Sequence, residues 1–253
     1  MPATPAWPPR SAPRLFVEQE IVEGAILQIE GNQAHYLNRV MRIATGDAVI
    51  VCDDITGEWA CEVVEVGKRH VQLAPRDRLR ERESVPDFWL CPALLKKDRF
   101  DLVLEKACEL GVAQIMPVIT RRCVADKLNP ERARTIVTEA AEQCARTALP
   151  EIAAPESLDT LLRDWPEDRC LFFADELGGE PASEVFLAER GRPAALLIGP
   201  EGGFDDAERD AIRALPQARA ITLGPRILRG ETASIAATAI WMSFAGDWNN
   251  SLA

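Results

Sequence analysis

A chain of 253 residues, 47% of them apolar, is long enough to bury one large core or two smaller ones. It has no apolar run of 18 residues, the longest candidate being Ile235–Ala245, so no membrane partner is expected. Seven cysteines without a Cys-x-x-Cys pair, and only His35 and His70 as histidines, argue against disulfides and metal and for a reduced, cytoplasmic setting. The formal charge of −11 weighs against broad phosphate binding, yet Lys96 to Arg134 holds nine basic residues against six acids, enough for a local basic patch.

Residues 1–12 are rich in Pro and Ala, lack an apolar stretch of signal-peptide length, and read as a disordered leader. Residues 13–75 predict short strands around one helix, a small β-barrel in prospect, with turn signals at Gly46-Asp47 and Asp54 to Gly57. Asn32 is the expected cap of a helix over 33–42, which would set Arg39 and Arg42 three apart on one face, where they could track phosphates. Residues 76–86, with arginines, acids and prolines and little to bury, read as a linker.

From 87 to 248 the texture changes to strands alternating with helices, the pattern of an α/β domain with a largely parallel sheet. A strand over 88–95 precedes a helix capped by Asp98 and ended by Gly111, with Leu102, Ala107 and Leu110 expected inward. A strand over 114–119 follows. Asn129-Pro130 opens a helix on which Glu139, Gln143 and Arg146 share one polar face. Short elements follow at 156–163, 170–174 and 183–189.

The last third holds two matched turns. The apolar run Leu196-Leu197-Ile198 ends in Gly199-Pro200-Glu201-Gly202-Gly203-Phe204, and Ala220 to Leu223 ends in Gly224-Pro225-Arg226-Ile227-Leu228-Arg229-Gly230-Glu231-Thr232. After the first, Asp205 and Glu208 form a capping box; after the second, Thr232 opens an apolar helix to about Phe244. Neither turn is a P-loop or a Rossmann glycine turn, and Glu201 inside the first would repel phosphates. Two such turns suggest one pocket for a flat heterocycle with polar edges.

These motifs, with Ile227-Leu228-Arg229 and Glu231-Thr232-Ala233, resemble the RsmE family of SPOUT methyltransferases. Arg14-Leu15-Phe16, His35-Tyr36-Leu37, Arg39-Val40-Met41-Arg42, Lys96-Lys97-Asp98 and the Glu142-Gln143-x-x-Arg146 element extend the likeness over nearly the whole chain. The resemblance departs where Met41 replaces a usual apolar residue and where a tryptophan common in the 130–149 helix is absent. It implies a C-terminal SPOUT α/β domain with a trefoil knot, an N-terminal PUA-like RNA-binding β-barrel, and S-adenosyl-L-methionine as cofactor. The implied reaction is methylation of N3 of a 16S rRNA uridine, the one conventionally numbered 1498. The implied partners are 16S rRNA or the small ribosomal subunit and a second copy of the chain in a homodimer.

The uracil imide carries a proton at neutral pH, so the site must supply a base or a cation for the developing anion. Arg229 is the cation candidate; Glu201 and Glu231 are both candidates for the base or for a cofactor contact. Leu197, Ile198, Leu223, Ile227 and Leu228 are expected around adenine, with Gly199, Glu201, Gly202, Gly224 and Thr232 at polar edges. For RNA the candidates are Arg39, Arg42, Lys96, Lys97, Arg121, Arg122, Gln143 and Arg146. Two alternatives stand: a SPOUT enzyme with another target such as ribose 2′-O, and a non-catalytic RNA-binding assembly protein.

Overall fold

A computed structural model describes residues 7–248, so residues 1–6 of the expected leader lie outside the described residues. The chain divides into two compact units. One runs to Ser84 and takes in Ala141–Leu149; the other comprises Val85–Ala140 and resumes at Pro150.

The first unit contains β1 (Arg14–Phe16), β2 (Leu27–Glu30), α1 (Gly31–His35), β3 (Ala48–Cys52), β4 (Glu58–Val66) and β5 (His70–Arg80). They form a five-stranded sheet in the order β1-β3-β4-β5-β2, with β1 parallel to β3 and the other pairs antiparallel. Leu27 and Ile29 face the core while Gln28 and Glu30 face water, the period-two alternation of a half-buried strand. Leu15, Leu37, Val49, Val51, Val63, Val71 and Leu73 complete that core.

Three expectations change here. The helix starts at Gly31 with Glu30 as its N-cap, not Asn32, and after α1 it widens into a π-helical turn, Tyr36–Met41, ending at Arg42 with φ 54°. The segment expected as a linker is strand as far as Arg80. Its arginines find acids rather than open water: Arg76 pairs with Glu62 and Arg80 with Glu58. Burial works to raise the Glu58 carboxyl, but the Arg80 hydrogen bond and the Arg14 charge outweigh it and hold it below the usual range.

The third change is at Ala141–Leu149, which belongs with the first unit although the sequence pattern ran one domain over 87–248. Glu142 accepts from the Phe16 N–H at 2.7 Å, Glu83 from the N–H groups of Thr147 and Ala148, and Asp54 from the Leu149 N–H.

The second unit comprises β6 (Phe88–Pro92), α2 (Lys97–Glu109), β7 (Gln114–Ile115), β8 (Val118–Ile119), α3 (Pro130–Cys144, whose last residues lie in the first unit), β9 (Glu151–Ile152), β10 (Glu156–Ser157), α4 (Leu158–Arg163), β11 (Cys170–Ala174), β12 (Glu180–Pro181), α5 (Ala182–Ala188), β13 (Ala194–Ile198), α6 (Asp206–Ala214), β14 (Ala218–Thr222) and α7 (Gly230–Phe244). Seven strands form a wholly parallel sheet in the order β12-β14-β11-β13-β6-β7-β9, the α/β architecture expected. The strand expected over 114–119 is interrupted at Met116-Pro117, and β8 pairs instead with β10.

Both faces of this sheet are covered. Leu171, Phe173, Ala195 and Leu197 pack with Leu158, Leu161 and Ile212 of α4 and α6. On the other face Phe88 stacks on Trp241 of α7 at 4.0 Å and Phe172 meets Phe186 of α5 edge-on. In α2 the inward residues are Phe100, Val103, Leu104, Ala107 and Cys108; Leu102 is exposed and Leu110 half-buried, one position off the expected face. Its N-cap is Lys96, with Asp98 inside the first turn, and Gly111 follows it at φ 89°.

Candidate functional site

The two Gly-Pro turns leave the carboxyl ends of β13 and β14, on either side of β11, and meet at one cavity of about 280 Å³. Open parallel sheets bind ligands beyond the carboxyl ends of their strands. Of the residues expected around a cofactor, Ile198, Gly199, Leu223, Gly224, Ile227 and Leu228 line this cavity. Leu197 does not: it alternates to the opposite face of β13 and is wholly buried among Phe173 and Leu171. Glu201, Gly202 and Thr232 also stand outside the lining and are exposed.

The first turn is tied from several sides. Asp205 caps α6 by accepting from the Glu208 N–H at 2.8 Å, and Glu208 accepts in return from the Asp205 N–H. The Glu208 N–H, with Arg121 beyond it, holds the Asp205 carboxyl below the usual carboxylate range. The other oxygen of Glu208 takes the Arg121 N–H at 2.7 Å, and the Arg121 guanidinium reaches Asp205 at 2.9 Å. Arg122 donates to the carbonyls of Gly202 at 2.7 Å and Phe204 at 3.3 Å. Arg121 and Arg122, expected on RNA, thus serve the glycine turn: the acids and carbonyls of that turn are their nearest counter-groups.

Arg99, on α2, was not singled out by sequence reasoning. It donates to Glu201 at 2.8 Å and lies 3.8 Å from Glu231, so one guanidinium faces both candidate acids. Glu231 is nine-tenths buried, and its second oxygen is buried without a hydrogen-bond partner among the described residues. Two further acids enter the cavity from the end of β11. Asp175 and Glu176 are paired with the buried Arg209, at 3.1 and 3.2 Å. Gly203, at φ 66°, leaves the space for this: a Cβ there would stand 2.6 Å from the Glu176 carboxylate. Asp175 and Glu176 lie in a segment with no motif of its own, and only their place directly after a buried strand could have drawn notice.

The second turn is open. Ile227 is 92% exposed, and Arg226 and Arg229 are exposed and make no ion pair among the described residues. Arg229 is the N-cap residue of α7, in extended backbone, which begins at Gly230 rather than Thr232. The turn's own hydrogen bond, from the Gly224 N–H to the Thr222 hydroxyl, is long at 3.3 Å. An isoleucine so exposed beside a cavity offers an apolar face to a ligand, and the acids opposite suit hydroxyl or cationic groups.

The remaining RNA candidates are scattered. Lys96 and Lys97 are exposed at the start of α2. Gln143 is exposed, whereas Arg146 is 5% exposed and sits 3.7 Å from Glu83, because 141–149 folds into the first unit and turns that guanidinium inward. Arg39 lines a depression of the first unit that Arg42 does not share, the π-helical winding having broken the expected common face. Among the described residues no cluster of three His, Cys, Asp or Glu could hold a metal ion, and no helix is long and apolar enough to cross a membrane. Burial pushes the Cys52 and Cys61 thiols up to about 12, so both are unreactive packing residues.

Parallel strands with a cavity at their carboxyl ends define an α/β domain of the kind that takes ligands at that edge. Comparison with known proteins narrows this. Residues 81–242 match the model of an RNA methyltransferase domain and residues 29–75 that of an RNA methyltransferase PUA domain. The ribosomal RNA small subunit methyltransferase E of Synechocystis sp. is 32% identical over 89% of this chain and 76% of its own. That of Bacillus subtilis is 31% identical over 88% and 93%. Among solved structures, a ribosomal RNA small subunit methyltransferase E of Neisseria gonorrhoeae bound to S-adenosyl methionine superposes with a TM-score of 0.83 at 25% identity, covering 94% of this chain and all of that one. The chain belongs to the RNA methyltransferase family, in the group whose named members are the ribosomal RNA small subunit methyltransferases E.

Proposed function

We propose that this protein transfers the methyl group of S-adenosylmethionine to N3 of a uridine in 16S rRNA of the small ribosomal subunit. The observation that carries the reading is the convergence of both glycine turns on one cavity, beside which Arg229 has no ion pair among the described residues. The residues present fit the cofactor: exposed Ile227 and half-buried Leu228 offer an apolar face for adenine, and Glu176 is an acid for its hydroxyl or ammonium groups. When bound, that cofactor supplies an electrophilic methyl group.

The protein's own part is to hold the uracil against the site and stabilise charge as the imide loses its proton. Arg229 is suited to the second task, since its donors can face an anion spread over O2, N3 and O4 without first breaking an ion pair. Glu201 is engaged directly by Arg99, while Glu231 keeps one carboxylate oxygen without a partner among the described residues. That second Glu231 oxygen is closed to solvent, so the two acids stay equal candidates for the proton acceptor. Chain passage through the two turns as a trefoil knot, the PUA-like unit as an RNA-binding barrel, a homodimeric assembly and a cytoplasmic location belong to the same reading.

Nucleoside mass spectrometry of 16S rRNA from a deletion strain, rescued with wild type or Arg229→Ala, tests it. The expected result is loss of 3-methyluridine that only wild type restores. Unchanged 3-methyluridine on deletion overturns the target, and a gain or loss of 2′-O-methylation instead would redirect it to ribose.

A further inference from the structure

The second unit holds another cavity, between the start of α2 and the segment 125–133 that leads into α3. Its volume is about 660 Å³, more than twice the 280 Å³ of the one between the glycine turns. The floor is apolar: Leu94, Leu95, Phe100 and Ala133 line it and are buried, and half-buried Leu128 adds to it. The rim is polar. Arg132 pairs with Asp101, which leaves Lys97 and Lys127, both exposed and without an ion pair among the described residues, against the lone carboxylate of Glu131. Asn129 commits its Oδ1 to the Arg132 N–H at 3.0 Å, so its side chain has only the amide donors left to offer a ligand. An apolar floor under a rim of unanswered donors and excess positive charge, on a chain of net charge −11, suits a flat base joined to a phosphate.

Two contacts tie this cavity to the one between the glycine turns. Leu95 is their common wall: a Cβ on Gly230, which lines the first cavity beside Gly199, would stand 3.1 Å from the Leu95 side chain. The segment that closes the second cavity continues from the straps of the first, where Arg121 reaches Asp205 and Arg122 the Gly202 carbonyl. An atom that accepts a methyl group must come within about 3–3.5 Å of it, and the Leu95 side chain intervenes, so a base in the second cavity is not the acceptor. We propose that this cavity holds the nucleotide next to the methylated uridine in the RNA strand. Its base lies over Leu94, Leu95 and Phe100, an acceptor on the base edge takes the Asn129 amide, and its phosphate meets Lys97 and Lys127. Such a pocket rests on the reading of RNA as substrate and adds to it: the enzyme selects its uridine partly by the neighbour that the uridine carries.

The test titrates the full-length protein with a single-stranded 16S rRNA fragment centred on the target uridine, and with fragments in which one neighbouring nucleotide at a time is abasic. Loss of the base that fills the cavity is expected to weaken binding about tenfold, within the range for one stacked base. Ala125→Trp, which sets an indole into the cavity lining, should bind the intact fragment about tenfold more weakly and no longer distinguish it from the abasic one. Lys97→Gln/Lys127→Gln should keep the abasic penalty but flatten the plot of log affinity against log salt by about 0.7 for each phosphate no longer neutralised. S-adenosylmethionine affinity, measured on the same samples, should match wild type and shows that each variant is folded. A folded Ala125→Trp protein with the wild-type abasic penalty, or a double lysine variant with the wild-type salt slope, overturns the pocket. So does a wild-type protein indifferent to abasic substitution at every neighbouring position, a result that stands even where Ala125→Trp fails to fold. If Ala125→Trp changes the oligomeric state in sedimentation while binding RNA like wild type, the cavity belongs to a contact between copies of the chain, which also overturns it. Failure of wild type to bind the intact fragment brings down the substrate reading itself, an outcome distinct from variants that bind like wild type.

Discussion

Gly199-Pro200 and Gly224-Pro225 open turns of similar sequence at the ends of parallel strands, yet the protein holds them differently. The first is strapped by Arg99, Arg121 and Arg122 and anchored by a capping box; the second leaves Ile227 almost fully exposed and Arg226 and Arg229 without acid partners among the described residues. The same local motif thus produces a preorganised wall and an unengaged one. A ligand meets the first turn already in place, and the ordering cost of binding falls on the second.

The comparison breaks most sharply at Gly203. Gly203→Val puts a β-branched residue at φ 66° and its Cβ against the Glu176 carboxylate. Backbone strain of about 1–3 kcal/mol plus that collision should lower S-adenosylmethionine affinity about a hundredfold, read by calorimetry. Wild-type affinity would mean that the strapped turn is not a wall of the cofactor site. A smaller effect is expected from Arg99→Met, which leaves Glu201 and the buried Glu231 without their shared cation: about a tenfold loss in kcat/KM, partly restored by Arg99→Lys. An unaltered kcat/KM would reduce Arg99 to a surface ion pair.

The smallest effect concerns pH. The Asp205 carboxyl is held low by the Glu208 N–H and Arg121, so its folded pKa lies below its unfolded one. Its contribution is therefore present above the ordinary carboxylate pKa of about 4 and is lost as pH falls through the folded value. Below that range the Glu208 amide should lose protection relative to its intrinsic exchange rate, while amides of the second turn, none of which donates to a carboxylate among the described residues, should keep theirs. Equal loss in both turns would erase the contrast.

Much of this was legible in the residues. The Asp205 to Glu208 capping box, the Pro-interrupted strand ends and the alternation of strands with helices are local patterns, and β13 occupies the run that was expected to be a strand. Illegible were features whose cause lies far away in sequence. Arg99 meets Glu201 across about a hundred positions, and nothing in Lys97–Glu109 marks that partner. The arginines after Pro75 looked like a solvated linker because their acids, Glu58 and Glu62, sit on another strand. Leu197 and Ile198 are equally apolar neighbours, and only the face each takes on β13 decides that the second alone reaches the cavity. The π-helical turn that separates Arg39 from Arg42 has no signature in Tyr36–Met41.

The excursion of Ala141–Leu149 has a consequence for synthesis. Glu83 and Asp54 accept from the N–H groups of Thr147, Ala148 and Leu149, and Glu142 accepts from that of Phe16. A nascent chain emerging from the ribosome therefore cannot finish its amino-terminal unit when Ser84 appears. It must wait for residue 149, by which time more than half of the polypeptide has been made. Vectorial, one-unit-at-a-time maturation is closed to this topology, and the Glu83 and Asp54 carboxylates and the Phe16 N–H stay on water until the later segment arrives to pair with them.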